Sequence, residues 1–323
     1  MPGKRRQSVA IQAVLLLALV ALAWMLVEHT AIHMRERGIQ TGFGFLLEPA
    51  GFAIGESLFA FDSGDSYFWA LLVGLANSLR VALPAIMLST VLGTLIGLGR
   101  LSPNFLLRRL CAGYVESLRN VPLLLQLLAW YFVVTDWLPA TAEAIELMPH
   151  VFLSKSGLTL PWFGDGGVFF ELPMRGEMSI SGGAALTPEF IALLLGLSLY
   201  TAAYIAETVR AGIQSIPRGQ TEAALALGMT RMSVFRLILV PQALRSIIPP
   251  LTNSHLSLTK NASLAVAIGY PDLVSVANTT LNQTGRAVEC IALIMIVYLI
   301  LSALTAAISF WFERRSGRWT QTP

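Results

Sequence analysis

Thr221-Glu222-Ala223-Ala224-Leu225-Ala226-Leu227-Gly228 is a stretch of small and polar residues set between long apolar segments, and it continues from Met229 to Pro241. It opens after Ile216-Pro217, where the proline ring presets φ and can seed a first helical turn. Glu222 is expected near the start of that helix, where the backbone dipole favours a carboxylate. Ala223, Ala224 and Ala226 are strong helix formers with almost no bulk. A short helix with such a bare face suits close docking against another surface. Gly228 permits a turn that a Cβ would resist, so a second helical piece can leave at an angle through Phe235 to Pro241. Taken alone, Glu-Ala-Ala also reads as an ordinary amphipathic connector.

The rest of the chain says where that stretch lives. Of 323 residues, 55% are hydrophobic and 13% charged, whereas a soluble domain carries roughly a quarter charged residues. The composition implies an all-α, polytopic membrane protein. The net charge of +3 is small, and no basic run with interleaved aromatics occurs, so nucleic acid is not an expected partner. Cys111 and Cys290 lie in or beside apolar segments, which argues against a disulfide framework.

Lys4, Arg5 and Arg6 precede an apolar run from Val9 to Val27, close to the ~20 residues that span a bilayer. No small-residue cleavage site follows in Glu28-His29-Thr30, so a retained first span is expected, with a cleaved signal peptide as the alternative. Glu28 to Tyr67 reads as an outside loop. His29 and His33 have helical spacing there, but without a third ligand no metal site is assigned. Phe68 to Gly99 is a long apolar stretch, in which Gly93 and Gly97 could let a second helix approach closely. Leu110 to Leu138 is expected to return through the membrane as one span. Thr135 to Leu186 reads as a second outside loop, Pro188 to Ile213 as the next span and Val234 to Leu258 as another, interrupted by prolines. Gly269-Tyr270-Pro271-Asp272 is a turn signal, and Ala287 to Phe312 is the last span.

Charge orients these segments. Basic clusters sit at the N-terminus, at Arg100/Arg108/Arg109, at Arg218/Arg231/Arg236 and at Arg314/Arg315/Arg318. The two outside loops carry mostly acids, among them Glu56, Asp62, Glu143, Asp165 and Glu177. About six spans with both termini in the cytoplasm place every basic cluster inside, and they put the Glu-Ala-Ala stretch there as well.

The full spacing resembles the EAA loop of ABC importer permeases: Gly228 stands four residues after Ala224, and Pro241 thirteen after Gly228. Further stretches are similar to permeases for polar amino acids, including Asn77-Ser78-Leu79 and Leu118-Arg119-Asn120-Val121-Pro122-Leu123-Leu124-Leu125-Gln126. Tyr204 to Ile213, Pro241 to Arg245 and Lys260 to Ala265 continue the likeness. Gly269 to Leu273, with Leu281-Asn282-Gln283-Thr284-Gly285, is similar to the general L-amino-acid branch.

The resemblance implies a division of labour in a bacterial inner membrane. A periplasmic binding protein delivers the amino acid, two permease subunits (this chain and a related, non-identical one) form the path, and ABC ATPase subunits drive it. Residues 1–67 would be an N-terminal transmembrane helix with a periplasmic loop, and residues 68–323 the permease domain. Glu222, Ala223, Ala224 and Gly228 would couple to the ATPase. The chain carries no Gly-x-x-x-x-Gly-Lys-Ser/Thr phosphate loop, so ATP and Mg belong to the partner. No cofactor and no catalytic residue are assigned to this chain.

An amino acid carries both signs of charge, and intramembrane charges normally face a cavity or a partner. Arg119 lies eleven residues past Arg108, or ~16 Å at the helical rise, and Glu207 ten before Pro217, or ~15 Å. Arg119 could fork onto a carboxylate, Glu207 could hold an ammonium, and Asn120 could add a neutral hydrogen bond. The alternative is that Arg119 and Glu207 only pair with each other. Two other classes stay open, an ion-coupled secondary transporter and a non-transporting scaffold subunit.

Overall fold

The computed structural model describes residues 2–36, 41–163, 170–176 and 179–318. Asp165 and Glu177 of the second outside loop lie outside the described residues. So do the side chains of Lys4, Arg5 and Arg6 and of Arg314, Arg315 and Arg318. Helix α1 (Pro2–Glu36) runs past Val27, so the outside loop begins later than expected. Its described side chains between Ile11 and Leu22 are exposed, as a helix covered only by lipid would be.

The segment after it folds onto the bundle. Phe45 and Ala50 are buried with Tyr67, Leu71, Leu273 and Val276. Glu56 accepts hydrogen bonds from Arg80 Nη1 at 2.6 Å and from Thr187 Oγ1. Ser66 Oγ accepts from Trp69 N and starts α2 (Tyr67–Gly99). Asn104 Oδ1 likewise accepts from Leu107 N and starts α3 (Phe105–Asn120).

The expected single span from Leu110 to Leu138 is broken. Helices α3 and α4 (Leu123–Phe132) meet at a bend of 104°. The cause is Pro122, which lacks an N–H and forces Val121 into extended backbone, at φ −101° and ψ 129°. Two of the carbonyls at the break find a donor. Gln126 Nε2 donates to Leu118 O at 2.7 Å and to Val121 O at 2.9 Å, which satisfies them inside the protein as the bilayer requires.

The second outside loop also differs from expectation, because it holds a small antiparallel sheet within an otherwise helical chain. Its strand order is 145–148, 151–154, 157–160 and 184–186, with Phe152 opposite Thr159 and Leu158 opposite Leu186. The alternation of a half-buried strand is there in Val151-Phe152-Leu153-Ser154, whose Phe152 and Ser154 are buried.

Thr187 caps α5 (Pro188–Gln214). Pro217 then precedes α6 (Arg218–Ala226), and Thr230 caps α7 (Arg231–Val234). A π-helical turn, Phe235–Leu239, joins α7 to α8 (Val240–Asn261) just ahead of Pro241. A 3-10 stretch, Ala262–Ile268, follows, and the chain reverses at Gly269 (φ +79°) as the turn signal predicts. Asp272 Oδ1 accepts from Ser275 N at 2.9 Å and caps α9 (Leu273–Thr284), and α10 (Ala287–Arg318) ends the fold.

Four helical runs among the described residues are long and apolar enough to cross a membrane: Tyr67–Gly99, Pro188–Gln214, Arg231–Ile268 and Ala287–Ile308. The bent α3–α4 pair can count as a fifth. The described apolar part of α1, Ile11–Leu22, is shorter than a span, so the four or five spans are roughly compatible with the expected polytopic arrangement of about six. The core lies between α2, α4, α5 and α8, where Val81, Ala85, Leu127, Leu193, Leu197 and Leu258 are buried together. The break between α8 and α9 is closed by α2. Asn77 Nδ2 donates to Pro271 O at 3.0 Å and to Glu56 O at 2.8 Å, and Ser78 Oγ accepts from Leu273 N.

Candidate substrate cleft and coupling loop

Helices α5 and α8 leave a cleft of about 350 Å³ between them. It is lined by Tyr200, Thr201 and Tyr204 from α5 and by Asn253, Ser254, Ser257 and Asn261 from α8. The four α8 residues recur at helical spacing and form a polar stripe on an apolar span. That stripe is legible in the sequence from its spacing alone, and no motif quoted above isolates it. The Tyr200 and Tyr204 rings lie 4.9 Å apart, and Tyr200 donates its hydroxyl proton to Tyr204 at 3.1 Å. None of the seven lining residues carries a formal charge. They offer hydroxyls, amides and two aromatic faces, and an aromatic face attracts an ammonium. The volume suits a small polar molecule.

The structure separates the two charges predicted for the path. Arg119 is exposed, and its guanidinium carbon lies 5.0 Å from the centre of the Tyr204 ring, beside the cleft. Asn120, the last residue of α3, is also exposed. Arg108 and Arg119 are still separated along α3, but the 104° bend that follows at Pro122 means that α3 does not run on as one straight span, so that separation no longer measures depth. Tyr114 still anchors α3 near the middle of α5 by donating to Leu199 O at 2.7 Å.

Glu207 does not meet Arg119. One carboxylate oxygen pairs with Arg100, the residue that caps the C-terminus of α2, and both are held by Arg210, through Nη2 and through Nε at 3.0 Å. Both carboxylate oxygens of Glu207 therefore already have guanidinium donors. The pairing offered as the alternative reading is replaced by a different one.

The coupling stretch forms the expected helix, turn and second helix, with two corrections. Glu222 lies in the second turn of α6, not near its start, because the helix begins at Arg218. Ala224 points inward and is 3% exposed, whereas Glu222 and Ala223 face outward. Its carbonyl accepts from Met229 N at 3.1 Å, which folds the turn back on the helix. Gly228 stands at φ +83°, where a β-branched residue would be strained. Leu227 and Met232 are strongly exposed beside it.

A bundle of membrane-spanning helices with a polar cleft at its middle and a protruding helix-turn-helix loop defines a transport subunit. The sequence comparisons agree. Residues 89–318 match the family described as binding-protein-dependent transport system inner membrane component, and the chain belongs to that family. A general L-amino acid transport system permease protein of Rhizobium johnstonii is 40% identical, over 96% of this chain and 92% of its own length. The glutamate/aspartate import permease protein GltJ of Escherichia coli K12 is 31% identical over 86% of this chain and 95% of its own. Among solved structures, one titled as an amino acid ABC transporter with histidines superposes with a TM-score of 0.56 at 26% identity, covering 77% of this chain and 95% of that one. The chain is a transport component and not an enzyme.

Proposed function

We propose that this chain is the permease subunit of an ATP-driven amino-acid importer. In this reading the α5–α8 cleft is its share of the translocation path, and the loop from α6 to α7 is the seat of a separate ATPase. The observation that carries the reading is the loop. A nine-residue helix stands between two spans, turns sharply at Gly228 and presents Glu222, Ala223 and Leu227 outward. An exposed leucine beside a small-residue face suits a partner surface better than water. The amino-acid class is supported by the names of the relatives and by a cleft that offers hydroxyls, amides and aromatic faces beside one arginine.

Arg119 takes the carboxylate end of the substrate at the Tyr204 rim, with Asn120 beside it. Glu207 leaves the substrate path for the ion-pair network around Arg100. A related permease chain completes the path, a periplasmic amino-acid-binding protein delivers the substrate, and the ATPase binds ATP and Mg. Both termini are cytoplasmic in an inner membrane. Residues 1–67 are the N-terminal helix with its outer segment, and residues 68–323 form the permease domain. An ion-coupled secondary transporter would leave the protruding loop without a role.

The chain, reconstituted in vesicles with its co-purifying subunits, is expected to take up amino acids only when ATP is supplied. Ala223→Trp should weaken ATPase binding while the bundle still assembles. Gly228→Val strains the turn by roughly 1–2 kcal/mol, so hydrolysis should proceed with little uptake. Normal coupling in both variants would remove the docking assignment. Ser257→Trp, which fills the cleft, should block uptake with ATPase binding intact, and unimpaired uptake would place the path elsewhere.

A further inference from the structure

We infer that Glu207 is the pin that makes α2 and α5 move as one body with the coupling loop. The inference rests on the loop being the ATPase seat, and it adds how a push on that loop reaches the bundle. Helix α5 passes into α6 through Ser215, Ile216 and Pro217 only, so displacement of α6 is transmitted first to the end of α5. A side-chain ladder runs back from that end. Gln214, the last residue of α5, accepts from Arg210 Nη1, Arg210 donates to both oxygens of Glu207, and Glu207 accepts from Arg100 Nη1. Arg100 caps α2, so the ladder joins the final turn of α5 to the end of α2.

The ion pair at its centre is partly buried, with the side chains of Arg100 at 15% and Glu207 at 27% exposure, whereas Gln214 at the end of the ladder is exposed. Water therefore screens the pair less than it would a surface pair. Above the ladder, α2 and α5 are in backbone contact at Gly97, where an added Cβ would lie 2.7 Å from Ala206 O. Below it, Gly212 of α5 receives Ile247 of α8, the helix on the other side of the coupling loop. Helix α2 and helix α8, the latter on the far side of the coupling loop, thus both meet α5 within two turns of Glu207. The cleft-lining Tyr204 stands one turn before Glu207 on the same helix. A rigid α2–α5 unit would change the cleft when the loop moves, and a loose α5 would yield without doing so.

The test uses the intact permease–ATPase complex with its binding protein in vesicles, and it reads amino-acid uptake per ATP hydrolysed. Arg100→Gln removes the link between helices and is expected to lower that ratio about fivefold or more, the scale of a typical coupling energy, with ATPase binding kept. Arg210→Gln removes a rung that lies wholly within α5, whose backbone already carries motion along that helix; it spares the pair between Glu207 and Arg100 and is expected to lose much less of the ratio than Arg100→Gln. Joining the helices artificially, through Arg100→Cys and Glu207→Cys bridged by a short bis-methanethiosulfonate cross-linker that forms a disulfide to each thiol, should restore the ratio. Breaking that bridge with reductant should lower it again. An unchanged ratio in Arg100→Gln, an equal loss in Arg210→Gln, or no rescue by the bridge would overturn the inference. If Arg100→Gln does not assemble, the bridged protein decides alone. If Gly228→Val leaves coupling intact, it is the loop assignment that fails, whatever Arg100→Gln does.

Discussion

Gly97→Leu is expected to abolish assembly of the bundle. A Cβ at Gly97 would meet Ala206 O at 2.7 Å and Val209 Cβ at 2.9 Å, and one at Gly93 would meet Ala202 O at 2.8 Å. Backbone oxygens on a packed helix cannot swing away as a side-chain tip can. The two helices would have to separate along the half that holds Gly93 and Gly97, opening the core around Ile205 and Val209. Overpacking a core costs typically about 1–3 kcal/mol, and a clash against backbone belongs at or above the upper end. The measurement is the monodisperse fraction after detergent extraction. Gly113→Ala serves as the control, since nothing lies within 4 Å of a Cβ there. Equal recovery of the two variants would mean that α2 and α5 do not touch at these glycines.

Glu207→Leu is the second large effect. It leaves Arg100 and Arg210 facing each other, both largely sheltered from solvent, with no carboxylate between them. Removing one member of a fully buried ionic group costs about 3–5 kcal/mol, and this partly buried one, open enough for water to reach the arginines, belongs below that range. Thermal unfolding of the detergent-solubilised complex should show the loss directly. Uptake of acidic, neutral and basic amino acids should fall together, in step with the loss of assembled complex. A variant that assembles normally but discriminates among the three classes would return Glu207 to the substrate path.

Much of the chain's punctuation was legible one residue at a time. Pro217 starts α6 and Gly228 ends its turn. Gly269 and Asp272 make the reversal before α9, and Gly93 with Gly97 marks the contact between α2 and α5. The break between α3 and α4 was legible too, since Pro122 and its extended neighbour are local facts, but hydropathy smoothed it into a single span. Gln126, quoted as part of a motif, turns out to answer two of the carbonyls at this break. The sheet between residues 145 and 186 was hidden by its proline and glycine content. Its strands are short, and its last member pairs only after a long excursion.

By itself the sequence determined the class of molecule, the helical loop at Glu222 and most of its boundaries. Helix starts, turns and breaks are decided by φ restrictions, missing N–H groups and caps acting within a few residues of one another. Only the tertiary structure decided which side of α6 is free, turning Ala224 inward and leaving Ala223 outside. Only it chose the long-range partner of Glu207, an arginine 107 positions away instead of the one at 119. The same holds for the cleft, whose two walls come from α5 and α8 and line a common space only where those helices cross. Such pairings depend on distances between segments remote in the chain, and helical periodicity constrains the face a residue occupies without saying which neighbour that face will meet.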